Sequence, residues 1–98
     1  MRVWKGTGIW IRNFLLKYGP ADASTMHEHY KKYCREMGYH PASSMSFRRY
    51  LNELKRKGLI RVVGTAPSKA NATAGFQKYI YDVNYSMIDS KYWENPFR

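Results

Sequence analysis

Five side chains in one short stretch carry the chemistry this chain offers: Arg48, Arg49, Asn52, Lys55 and Arg56. They lie between Ser43 and Gly58, a segment that begins with serines, ends with glycine and runs straight into Leu59-Ile60-Arg61-Val62-Val63. Phe47, Tyr50, Leu51 and Leu54 recur at helical spacing and form one apolar stripe. At about 100° per residue, Arg49, Asn52 and Arg56 point the opposite way, with Arg48 and Lys55 on one flank. Arginine can bridge O6 and N7 of guanine, and asparagine can bridge N6 and N7 of adenine. A helix that buries one face and turns such groups outward suits the edges of base pairs in a major groove. The plainer reading is a solvated helix face whose Lys55, Arg56 and Lys57 complement the helix dipole, which accounts for three of the charges without excluding the first reading.

The charge is concentrated in the same part of the molecule. The 98 residues carry a formal net charge of +10, a balance that points to a polyanion. Residues 1–58 hold twelve Lys/Arg and four Asp/Glu, a balance of +8. Residues 59–85 hold three and one, and residues 86–98 hold two and two. The length allows one domain, residues 1–98, and 44% hydrophobic residues suffice for a core. The single cysteine, Cys34, rules out an internal disulfide framework and fits a reducing compartment. No apolar run at the start has the length of a signal peptide or a membrane span.

The positioning elements follow from local signals. A first helix over 7–18 has Ile11, Phe14, Leu15 and Tyr18 as its core stripe, with Gly19-Pro20 as its stop. Ile9 and Leu16 fall nearly opposite that stripe, so a second cover is expected: the chain's own tail or another subunit. A second helix is predicted from Ser24 or Thr25 as N-cap to about Met37, with Glu28 at capping-box spacing and Met26, Tyr30, Tyr33 and Met37 as its stripe. The third helix is the basic one, N-capped by Ser43 or Ser44 and ended by Gly58. Leu59–Val63 and Phe76–Val83 read as antiparallel strands around an exposed loop over 64–75. The remaining residues, 84–98, include Tyr85, Met87, Ile88, Tyr92, Trp93 and Phe97, too aromatic for a free tail, and a helical turn or two is expected between Ser86 and Trp93.

Three helices followed by a hairpin resemble the winged-helix branch of the helix-turn-helix superfamily. The run Ser46-Phe47-Arg48-Arg49-Tyr50-Leu51-Asn52-Glu53-Leu54-Lys55-Arg56-Lys57-Gly58-Leu59-Ile60 resembles that family's recognition helix and the Lys-Gly-Leu-Ile lead into its wing. The resemblance covers residues 7–83 and extends, in size and Tyr/Lys content, to small archaeal and viral regulators. It implies an α+β, mostly α fold: a three-helix winged helix-turn-helix with a two-stranded C-terminal hairpin and a packed aromatic tail over 84–98. It places Ser44, Ser46, Arg48, Arg49, Asn52, Lys55 and Arg56 against DNA from the helix, and Thr65, Ser68, Lys69 and Asn71 from the wing. With one lysine and no arginine, the wing suits phosphate contacts rather than insertion into a minor groove.

Other chemistries find little support. His27 and His29 are about 200° apart on a helix, and His27 and Cys34 are about 10 Å apart along it, so no zinc pattern fits and no metal or cofactor is expected. No nucleophile stands in a recognisable setting, and Gly6-Thr7-Gly8 lacks the strand and lysine of a phosphate loop, so an enzyme is not expected. The leading expectation is a sequence-specific double-stranded DNA-binding regulator of transcription. It would act as a homodimer in the cytoplasm, on the nucleoid or, for a viral protein, in the host cell. The alternatives are a protein-interaction module anchored by Trp4, Ile9, Leu16, Trp93 and Phe97, or a nonspecific DNA- or RNA-binding protein.

Overall fold

The computed structural model describes residues 6–67 and 77–97. The elements run α1 (Thr7–Tyr18), β1 (Ala21–Asp22), α2 (Ala23–Met37), α3 (Ser44–Arg56), β2 (Ile60–Pro67) and β3 (Gln77–Val83), followed by two 3-10 turns, Tyr85–Met87 and Lys91–Trp93. The sheet has three antiparallel strands in the order β1-β3-β2. The expected hairpin had two. The extra strand, β1, pairs Ala21 with Tyr81 and Asp22 with Ile80. It is two residues long, so no alternation marks it in the sequence. β2 continues through Gly64 to Pro67, with a register shift between Val62 and Gly64, so the first part of the expected loop is strand.

The helices enclose one core of Ile11, Phe14, Leu15, Met26, Tyr30, Cys34, Phe47, Leu51, Leu54, Leu59, Ile60, Tyr81, Val83 and Trp93. Of the stripe positions, Tyr33 and Tyr50 are only half-buried and two are open to solvent: Tyr18 is 60% exposed and Met37 55%. Both stand in the last turn of a helix, beyond the depth of the core. Tyr18 instead leans on Phe14 and His29, with ring centroids 4.8 and 5.9 Å away. Cys34 takes the buried place that Met37 leaves.

Two helix ends fix α3 in space. At the end of α2, the Tyr39 amide donates to the Cys34 carbonyl (2.7 Å) and the Gly38 amide to that of Arg35 (3.3 Å). At the end of α3, the Leu59 amide donates to the Leu54 carbonyl (2.9 Å) and the Gly58 amide to that of Lys55 (3.0 Å). Each is the paired 6→1 and 5→2 closure that a left-handed residue permits, and Gly38 and Gly58 both have φ +78°. Asn84 then clamps the second junction, donating from Nδ2 to the Gly58 carbonyl and from its amide to that of Leu59, both at 2.8 Å.

The start of α2 differs from the expectation. Its cap is Asp22, whose carboxylate accepts from the Thr25 amide (3.2 Å) and the Thr25 hydroxyl (2.6 Å). Ser24 and Thr25 lie inside the helix, and Glu28 pairs with Lys31 at 3.0 Å instead of closing a capping box. Pairing with β3 holds Asp22 extended, the backbone a cap requires.

The tail folds back onto α1. Trp93 is fully buried and donates its indole N–H to the Met87 carbonyl at 2.9 Å. Its backbone crosses Gly8 so closely that a Cβ built there would clash with the Trp93 carbonyl oxygen. Thus the tail covers α1 along Gly8, while on the side expected to need a second cover Ile9 is half-buried and Leu16 stays 39% exposed.

Asp22→Asn keeps a cap acceptor but removes the charge from the helix N-terminus, and is expected to cost about 0.3–1 kcal/mol at neutral pH. Burial raises the Asp22 pKa, but the Thr25 hydrogen bonds and the Lys78 charge outweigh it and hold it below the ordinary 3.8. The ionised group therefore stabilises the fold above that ordinary value, and its contribution is lost as pH falls through the depressed one. Denaturant midpoints of the two proteins should converge under acid conditions. Removing the buried hydroxyl of Tyr30, which accepts from the Ala42 amide at 3.3 Å and lies 3.1 Å from Thr7 Oγ1, should cost about 1–3 kcal/mol in the Tyr30→Phe variant.

Candidate nucleic-acid interface

Ser43 caps α3, its Oγ accepting from the Ser46 amide at 3.2 Å. The same Oγ donates to the hydroxyl of Ser46 (3.2 Å), so Ser46 is half-buried and engaged in the cap rather than turned to solvent. Ser44 stays exposed beside Arg48, on the rim of an open cleft of about 420 Å³ between α2 and α3 that His27 and Lys31 also line.

Phe47, Leu51 and Leu54 anchor the buried side of α3. Phe47 packs at a tilt against Tyr30, centroids 5.0 Å apart, and His27 at 5.1 Å. His27 Nε2 lies 2.9 Å from the Ala42 carbonyl, tying α2 to the turn before α3. With that side fixed, Arg48, Arg49, Asn52, Lys55 and Arg56 are all exposed. Glu53 is the only acid of the helix, half-buried and 3.7 Å from Arg56 across one turn. A contact of that length in solvent leaves the Arg56 charge largely available. The outward face is therefore cationic, with one amide and no exposed carboxylate.

The flanks have partners that the sequence did not reveal. Lys55 Nζ lies 5.7 Å from the centre of the Tyr79 ring on β3. Tyr81 beside it is buried, which pushes its phenol pKa up, and the Arg48 charge partly offsets that. On the other flank the tail reaches α3. Phe97 meets Tyr50 edge to face at 5.0 Å, and the Arg49 guanidinium stands 6.0 Å over the Phe97 ring. Lys57 Nζ lies 4.6 Å over the ring of Tyr92. Three cations at the rim of α3 thus have aromatic neighbours from β3 and the tail, which favour them modestly without neutralising them.

Thr65 is exposed on β2, directly opposite Tyr79. Ser68, Lys69 and Asn71, the other wing residues of the expected site, lie outside the described residues, as does Trp4. Trp93 is wholly buried and so is no anchor for a partner, contrary to its expected place among the docking residues. Among the described residues no group of three or more His, Cys, Asp or Glu is arranged to hold a metal ion. No helix there is long and apolar enough to cross a membrane.

Three helices, a three-stranded antiparallel sheet and an outward basic third helix define a winged-helix domain. Residues 15–79 match the family model described as CDC6, C terminal winged helix domain, and the chain belongs to that family. No curated protein matches the chain. No solved structure matches it either. The family match begins inside α1 and ends inside β3, so the tail that contacts Gly8, Tyr50 and Arg49 lies outside the matched span.

Because the outward side chains support nothing beneath them, replacing Arg48, Asn52 or Arg56 singly by alanine should change stability by no more than about 0.5 kcal/mol. Urea unfolding followed by tryptophan fluorescence would check this and supply folded variants for binding work.

Proposed function

We propose that this domain binds double-stranded DNA in a sequence-specific manner and acts as a transcriptional regulator, with α3 in the major groove. The observation that carries the reading is the exposed face formed by Arg49, Asn52 and Arg56 with Arg48 on its flank, on a helix held at both ends. An α-helix with its side chains fills a major groove about 12 Å wide. Arg49 and Asn52 would then meet base edges, while Ser44, Arg48, Lys55 and Arg56 would meet the sugar-phosphate walls. The wing residues Lys69 and Asn71 would add backbone contacts. The reading assigns the chain no catalytic step, no cofactor and no metal, and it places the protein wherever its DNA is.

The regulator reading includes a homodimer on paired half-sites. The tail meets α1 at Gly8, so a second copy would use surface that the tail leaves open. Leu16, Tyr18 and Met37 are the large apolar side chains still exposed on α1 and α2.

Selection from a pool of random duplexes at two salt concentrations tests the reading. A recovered sequence motif is expected, palindromic if two copies bind together. The Arg49→Ala/Asn52→Ala double variant should lose at least about ten-fold in affinity for the selected site, since each bidentate contact is worth roughly 1–3 kcal/mol. A double variant that binds that site as tightly as the wild type overturns the assignment. Retention of duplexes without any motif favours nonspecific binding, and no retention at low salt favours a protein partner.

A further inference from the structure

Tyr79 is an aromatic residue placed where the core does not need it. Along β3, Tyr79 has the parity of Tyr81 and Val83, both buried beneath the helices, yet it is 55% exposed. The hairpin extends past the edge of the helical layer at this point, and Tyr79 is the first inward-facing residue beyond that edge. Thr65 stands directly across from it on β2, and residues opposite one another on antiparallel strands share a face. The Lys55 ammonium approaches the same ring at 5.7 Å. Among the described residues the Tyr79 hydroxyl has no hydrogen-bond partner.

We infer that Tyr79, with Lys55 and Thr65, forms a phosphodiester-binding seam between α3 and the hairpin. This rests on the duplex-binding reading above and adds to it a residue and a chemical role. Two neutral hydroxyls and one ammonium are the groups that recognise the oxygens of a compact anion, and they lack the planar, paired geometry that reads bases. Their place on the helix agrees. Lys55 lies about 90° around α3 from the middle of the Arg49, Asn52 and Arg56 face. A helix lying in a major groove meets bases with its outward face and the backbone walls with its flanks. On this flank the hairpin stands alongside, so a phosphate there would be approached from two sides: ammonium from the helix, hydroxyls from the sheet. Lys55 also holds the Tyr79 ring by cation–π attraction, which fixes the phenol before DNA arrives.

The test is binding of the whole chain to one fixed, short duplex over a salt series, read by fluorescence anisotropy. Four proteins are compared: wild type, Tyr79→Phe, Lys55→Gln and Tyr85→Phe. Tyr79→Phe keeps the ring that Lys55 rests on and removes only the hydroxyl, so the fold should survive. It should weaken binding by about 3- to 10-fold, the net worth of one ordinary hydrogen bond, and leave the salt slope unchanged. Lys55→Gln should weaken binding and make the slope shallower by about 0.9, one phosphate's share. Tyr85→Phe, an exposed tyrosine past the other end of β3, should match the wild type. Wild-type binding with Tyr79→Phe indistinguishable from it overturns the seam and leaves the functional reading standing. A wild type that binds no duplex at low salt overturns both.

Discussion

The whole arrangement depends on one buried phenol. Tyr30 has no exposed surface, and its hydroxyl touches Thr7 near the start of α1 and the Ala42 amide in the turn before α3. Its ring lies between Trp10 of α1 and Phe47 of α3. A single side chain therefore sets three distances at once: α1 to α2, α2 to the turn, and α2 to α3. Burial raises the Tyr30 pKa above its usual value more than the bonds to Thr7 and Ala42 lower it, so the group stays neutral and can donate as well as accept. A buried hydroxyl with such partners is worth most when all of them are in place, which favours a single angle between α2 and α3.

That rigidity matters because the outward face of α3 gains nothing from the fold. Arginines and lysines held on one side repel each other, and nearby carboxylates are few. The cost is met by the apolar stripe of Phe47, Leu51 and Leu54 and by the locked glycine turns at Gly38 and Gly58. The aromatic rings of Tyr79, Tyr92 and Phe97 moderate the repulsion without cancelling charge. A carboxylate in their place would hold the cations equally well in isolation but would leave nothing for an anionic partner.

The residues show which parts of this were legible in the chain. The bounds of α1, the Ser43 cap and the Gly58 stop are local signals, and local signals survive folding. The outward direction of Arg49, Asn52 and Arg56 follows from helical geometry alone. What failed depended on tertiary distance. Asp22 became the cap because a strand fifty-eight residues away holds it extended, whereas Thr25 and Glu28 matched the capping pattern equally well on paper. Tyr18 and Met37 keep the right period but stand past the end of the core, since periodicity gives direction and not depth. The same limit hid Tyr79. Its alternation with Tyr81 and Val83 marks it as core, and only the overhang of the hairpin turns it into surface.

The close crossing of Trp93 over Gly8 has a consequence for how the molecule comes into being. It joins the first helix to a turn eighty-five residues further along the chain. During synthesis α1 waits with one side bare until the segment around Trp93 has been made. Contacts of such long sequence separation form late and slowly. Synthesis of the segment around Trp93 thus decides when this crossing closes, and a chain cut short before it would leave that side of the first helix bare.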